Sequence, residues 1–79
     1  MNAMKKMLAI FNMEELCLLS IYAEISDSIN ILRNKLLHAL HESADKEMLI
    51  IYGTVLCKID GITGDEYRSA RENNFFRLD

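Results

Sequence analysis

His38 and His41 stand three residues apart, with Glu42 immediately after. On a helix this spacing puts two imidazoles on one side, which is half of a zinc site; further ligands would have to come from elsewhere in the chain. The run His41-Glu42-Ser43-Ala44-Asp45 begins like the zinc-protease motif H-E-x-x-H but carries aspartate where the second histidine belongs. Two histidines near a helix C-terminus, where positive charge is favoured, account for the pair without a metal. Cys17 and Cys57 are the two thiols. A nucleophilic cysteine acts as the thiolate and needs an electropositive setting or a neighbouring base. Both lie in apolar runs, so they are expected as small, reduced core residues. Without C-x-x-C spacing, two cysteines do not make a disulfide framework. Glu14 with Glu15, and Asp65 with Glu66, are adjacent carboxylates. Neighbours in a helix do not face one another, and capping and dipole roles explain all four.

Tyr22 and Tyr52 fall on apolar stripes and read as core residues whose hydroxyls reach an edge. Arg68 and Arg71 share one helix face, with Arg77 beyond, but Asp65, Glu66 and Glu72 share the segment. A recognition helix presents its N-terminal residues to the bases, so a helix opening with two acids would meet phosphate repulsion. No catalytic, cofactor-binding or metal-binding residue is assigned, and the chain is expected not to be an enzyme.

The elements that would position these groups are helices. Asn12 and Glu15 form a capping box, with Phe11 and Leu16 placed as its hydrophobic staple. The first helix is expected over about Met13 to Glu24, with Leu18, Ile21, Tyr22 and Ile25 as its buried face, widened by Leu16 and Leu19. Ser26-Asp27-Ser28 interrupts the pattern as a short turn. The second helix follows to about His41, with Ile29, Leu32, Leu36 and Leu40 as its stripe, Leu37 beside it, and Arg33 and Lys35 off it. Asp45 caps the third, whose apolar face is Met48, Tyr52, Val55, Leu56 and Ile59, broadened by Leu49 and Ile51. The unbroken apolar run Met48 to Tyr52 marks it as the most buried helix. A strand over Leu49 to Leu56 is the competing reading. Gly53 in mid-helix costs about 1 kcal/mol against alanine, and a closely approaching neighbour is the expected compensation. Gly61 is expected to end this helix in the left-handed conformation. Thr63 and Glu66 make a second capping box, stapled by Ile62 and Tyr67, for a short fourth helix to about Glu72. Alone it would not be stable, so it must dock on the rest.

The 79-residue chain suits one small domain, and a hydrophobic share of 51% argues against disorder. With no proline and three glycines it contains few helix breakers. The fold class is therefore all-α: a small single-domain bundle of three main helices plus a short fourth. Nine Lys and Arg against twelve acids give a net charge of −3, which disfavours phosphate-mediated nucleic-acid binding.

Residues 1–10 read as an N-terminal tail or packing arm, 11–72 as the helical domain and 73–79 as a C-terminal tail. The apolar run Met7 to Phe11 after Lys5 and Lys6 is shorter than a secretory core and far shorter than a membrane span. Both ends carry apolar side chains, and Leu8, Ile10, Phe75, Phe76 and Leu78 are the candidate partner contacts. The competing reading folds both ends back to enlarge the core.

Together, Phe11-Asn12-Met13-Glu14-Glu15-Leu16, the Ile21-Tyr22 pair, the Ile31 to Leu40 segment closing in Ala39-Leu40, the Asp45-Lys46-Glu47-Met48 turn, and Leu56-Cys57-Lys58-Ile59 ahead of Asp65-Glu66-Tyr67 form a recognisable order. In it the chain resembles the transposon-transfer assisting protein family, small proteins of bacterial conjugative transposons. The resemblance spans about Phe11 to Tyr67 and lies in the order and spacing of caps and stripes. The N-terminal arm is longer, and the phenylalanine-rich end differs from the acidic tail of that family. The resemblance implies a helical, cytoplasmic protein linked to transposon transfer and supplies no catalytic residue or cofactor. The expected function is a non-catalytic accessory protein that binds a protein of the transfer machinery or a second copy of itself. A DNA-associated regulator of the element is the alternative. Neither a small-molecule substrate nor a membrane span is expected.

Overall fold

The computed structural model describes residues 8–76, and among these there is no strand. Residues 8–10 are helical. Four longer helices follow: α1 (Met13–Ala23), α2 (Ile29–Glu42), α3 (Lys46–Ile59) and α4 (Gly64–Glu72). The stretch Leu49 to Leu56 thus lies wholly within a helix. The radius of gyration is 11.7 Å, matching the roughly 12 Å of a compact chain this long.

Each helix begins where a side chain can take a free first-turn amide. The Asn12 side chain accepts from the Glu15 amide at 2.9 Å, and Glu15 Oε1 accepts from the Asn12 amide at 2.8 Å. Ser28 accepts from the Ile31 amide and Asp45 from the Glu47 amide. The second reciprocal box joins Thr63 and Glu66. Both staples, Phe11 with Leu16 and Ile62 with Tyr67, are buried pairs.

α2 is the hub. It packs most extensively along α3 and also touches α1 and α4. Leu32 and Leu36 of α2 meet Leu16 and Leu19 of α1, Val55 and Ile59 of α3, and Tyr67 and Ala70 of α4 in one core.

The burial of α1 departs from the expected stripe. Glu15, Leu16, Leu18, Leu19 and Ala23 are buried, whereas Ile21 and Ile25 face solvent. The helix is apolar nearly all round and carries two competing 3.6-residue stripes. Docking selects the one ending in the small Ala23 and turns the other out. α3 is not the most buried helix either. The run Met48 to Tyr52 circles more than a full turn, so one member must point away from α2, and Ile50 is 70% exposed.

Gly53 has no close neighbour: a Cβ built there meets no atom within 4 Å. Gly61 is not left-handed, since no glycine among the described residues has positive φ. α3 instead unwinds through tight turns, with Gly61 N–H to Lys58 O and Ile62 N–H to Ile59 O. The left-handed residue is Asn74, at φ 56°. There the Phe75 amide reaches back to Ala70 O at 2.8 Å and the Asn74 amide to Arg71 O at 3.1 Å, a full Schellman closure of α4.

Candidate functional site

The Schellman turn decides the fate of the C-terminal contact candidates. It swings the chain back, so Phe75 is 7% and Phe76 4% exposed, and Phe76 stacks at a tilt on Tyr67 with centroids 5.9 Å apart. These two residues belong to the core and are not displayed to a partner. At the other end Leu8 is exposed and Ile10 half-buried against the core. Leu78 lies outside the described residues, as does Met7.

The residues read for chemistry are scattered. Cys17 and Cys57 are exposed, not core residues as expected. Each follows a buried leucine by one position, and the 100° step of the helix carries it outward. His38 and His41 are exposed, with His38 Nε2 3.9 Å from Glu42 Oε1. Among the described residues no three potential metal ligands cluster, and no helix is long and apolar enough to cross a membrane. Arg33 pairs with Asp60 at 2.7 Å and Arg71 with Asp27 at 3.6 Å.

Two groups of buried polar atoms are structural. The first hangs on the turn between α1 and α2. Ser26 Oγ donates to Tyr22 O at 2.7 Å, and the Tyr67 hydroxyl donates to Ser26 O at 3.0 Å. The Tyr22 and Tyr52 hydroxyls share a hydrogen bond at 3.2 Å, with their rings edge to face. That hydrogen bond, then burial, pushes the Tyr52 phenol up to about 12. Burial raises the Tyr67 phenol as well. The second group is Glu15, 2% exposed, whose Oε1 also accepts from Lys58 Nζ at 2.7 Å. Its other oxygen, Oε2, is buried without a partner among the described residues. Lys58 lies over the Phe11 ring, so this ion pair ties the start of α1 to the end of α3.

Two open concavities lined by described residues carry exposed isoleucines. One, of about 480 Å³, runs from Tyr22 and Ile25 along Ile31, Lys35, His38 and Ala39 of α2. The other, of about 440 Å³, is lined by Glu14, Asp45, Glu47, Met48, Ile50 and Ile51. The two share no residue. What they offer is exposed apolar contact area for another molecule. Ile25, which the stripe of the first helix places inside, is 64% exposed. The sequence does hold a signal for this: a helix that is apolar nearly all round cannot bury every stripe.

No family model, curated protein or solved structure significantly matches this chain.

Proposed function

We propose that this protein is a non-catalytic accessory protein of a bacterial conjugative transposon, acting in the cytoplasm by binding other proteins. Its core in this reading is a bundle of three main helices with α4 docked on α2. The transposon context rests on the resemblance in the order of its caps and stripes. The observation that carries the binding role is the pair of separate apolar concavities. Ile25 is 64% and Ile50 70% exposed, and apolar residues grouped in this way on a small domain mark contact surfaces.

The test is recovery of a tagged copy, after nuclease treatment, from donor cells in which the element is active. The expected result is a reproducible protein of the transfer apparatus that is lost with Ile25→Asp or Ile50→Asp while the variant stays folded. Recovery of nothing but element DNA, and only when nuclease is omitted, would overturn the reading in favour of a DNA-associated regulator.

A further inference from the structure

We propose that the apolar surface formed by Met48, Ile50 and Ile51 of α3 binds a basic amphipathic helix of a partner protein. This inference rests on the protein-binding reading and names the surface and the partner's chemistry. Ile50 is the most exposed large apolar residue among those described, and Met13, next to Glu14 in the chain, is 64% exposed as well. Methionine and isoleucine together give an adaptable apolar floor of the kind that receives the face of an amphipathic helix.

Charge selects the occupant. The three ionisable side chains lining this surface, Glu14, Asp45 and Glu47, are all acidic; Lys46 lies outside the lining. Asp45 Oδ1 accepts the Glu47 amide as a helix cap. The Glu14 and Glu47 carboxylates have no cation partner among the described residues, unlike Glu15, Asp27 and Asp60. The N-termini of α1 and α3 point positive dipole ends toward this region, but each counts as roughly half a charge. Two of them offset about one of three carboxylates, so the rim stays negative. An acidic rim around an apolar floor repels nucleic acid, anionic lipid and acidic peptides. It attracts a helix with leucine-like residues on one face and lysine or arginine flanking them. The groove along α2 offers no such selection, because Lys35, His38 and Glu42 mix both signs.

The test uses the full chain, isotope-labelled for amide NMR, and a fluorescein-tagged peptide of leucine and lysine about 18 residues long, roughly five helical turns. The control is a scrambled peptide of the same composition that cannot form an apolar face. The expected result is binding at physiological salt at least about tenfold tighter than the scramble, with amide shifts centred on Glu14, Met48, Ile50 and Ile51. Ile50→Ser, a change at an exposed site, should weaken binding about tenfold. Glu14→Gln with Glu47→Gln should weaken it and flatten its salt dependence. Equal binding of the scramble would overturn the proposal, as would shifts centred on Ile25 and Ile31. It would also fall if removing residues 1–7 moved the Met48 and Ile50 signals of the free protein, because the chain's own end would then cover the surface. Recovery of partners from donor cells is read separately, so failure of the peptide and failure of the accessory-protein reading are distinguishable.

Discussion

Replacing Lys58 by methionine should cost more than replacing Glu15 by glutamine, although both changes break the same ion pair. The difference lies in what each leaves behind. Glu15 is 2% exposed, and Oε2 already lacks a partner. Without Lys58, a full negative charge stays buried with a single amide hydrogen bond from Asn12. The Lys58 side chain is 31% exposed and can turn its ammonium to water when Glu15 is neutral. Methionine keeps most of the aliphatic stem, so lost packing is small. Orphaning a buried ion costs about 3–5 kcal/mol, and the partial exposure of this pair places Lys58→Met at about 3 kcal/mol. Glu15→Gln keeps an acceptor for the Asn12 amide and removes a charge that is expensive to bury, so its loss should be about 1 kcal/mol. A chain of this length has roughly 4–12 kcal/mol in total, so the first change is a large fraction of it. In Lys58→Met protein, adding Glu15→Gln should restore about 1–2 kcal/mol, because the orphaned charge is gone. Urea denaturation followed by far-ultraviolet circular dichroism, at constant m, measures all four corners of the cycle. If Glu15→Gln were the costlier change, or if the double variant were no better than Lys58→Met, the carboxylate would not be buried as described.

Gly53→Ala should stabilise the protein by about 0.5–1 kcal/mol, since a Cβ meets nothing within 4 Å and helix propensity alone decides the sign; a lower melting temperature would mean a neighbour does approach there. Asn74→Ala should cost about 1 kcal/mol, because alanine is strained at φ 56°, whereas Asn74→Gly should be close to neutral. Thermal melts should place the alanine variant roughly 4–8 °C lower. The raised Tyr52 phenol means the folded state holds its proton more tightly than the unfolded chain. The stability this contributes is complete below pH 10, the unfolded value, and is lost as pH rises through about 12. Absorbance titration at alkaline pH should show Tyr52 and Tyr67 ionising late, and in Tyr22→Phe the Tyr52 step should move back toward 10; an unchanged curve would remove the Tyr22 hydrogen bond as the main cause for Tyr52.

Helix starts were legible because a cap is a local device. Asn12 with Glu15, Asp45, and Thr63 with Glu66 carry their own hydrogen-bond partners within three residues, and all appear as read. Helix ends and faces were less so. Gly61 looked like the left-handed residue, yet the left-handed turn falls on Asn74, where Phe75 and Phe76 gain burial by turning back. Of the contact candidates, Phe75 and Phe76 turn inward at that point, because apolar residues near a chain end are equally suited to a partner and to the chain's own core. The actual open surfaces, around Ile25 and Ile50, consist of residues that a stripe count assigns to the interior or leaves unassigned.

What the sequence by itself determined is the helical class and the caps at Asn12, Asp45 and Thr63. These follow from composition and from interactions spanning three or four residues, which the chain carries wherever it folds. Only the tertiary structure decided which of two apolar stripes on α1 is buried, which isoleucines are left outside, and that Lys58 crosses from α3 to the buried Glu15. Those outcomes depend on how helices of comparable hydrophobicity dock. Many faces would bury similar area, and shape, the small Ala23 and the Schellman turn at Asn74 select among them.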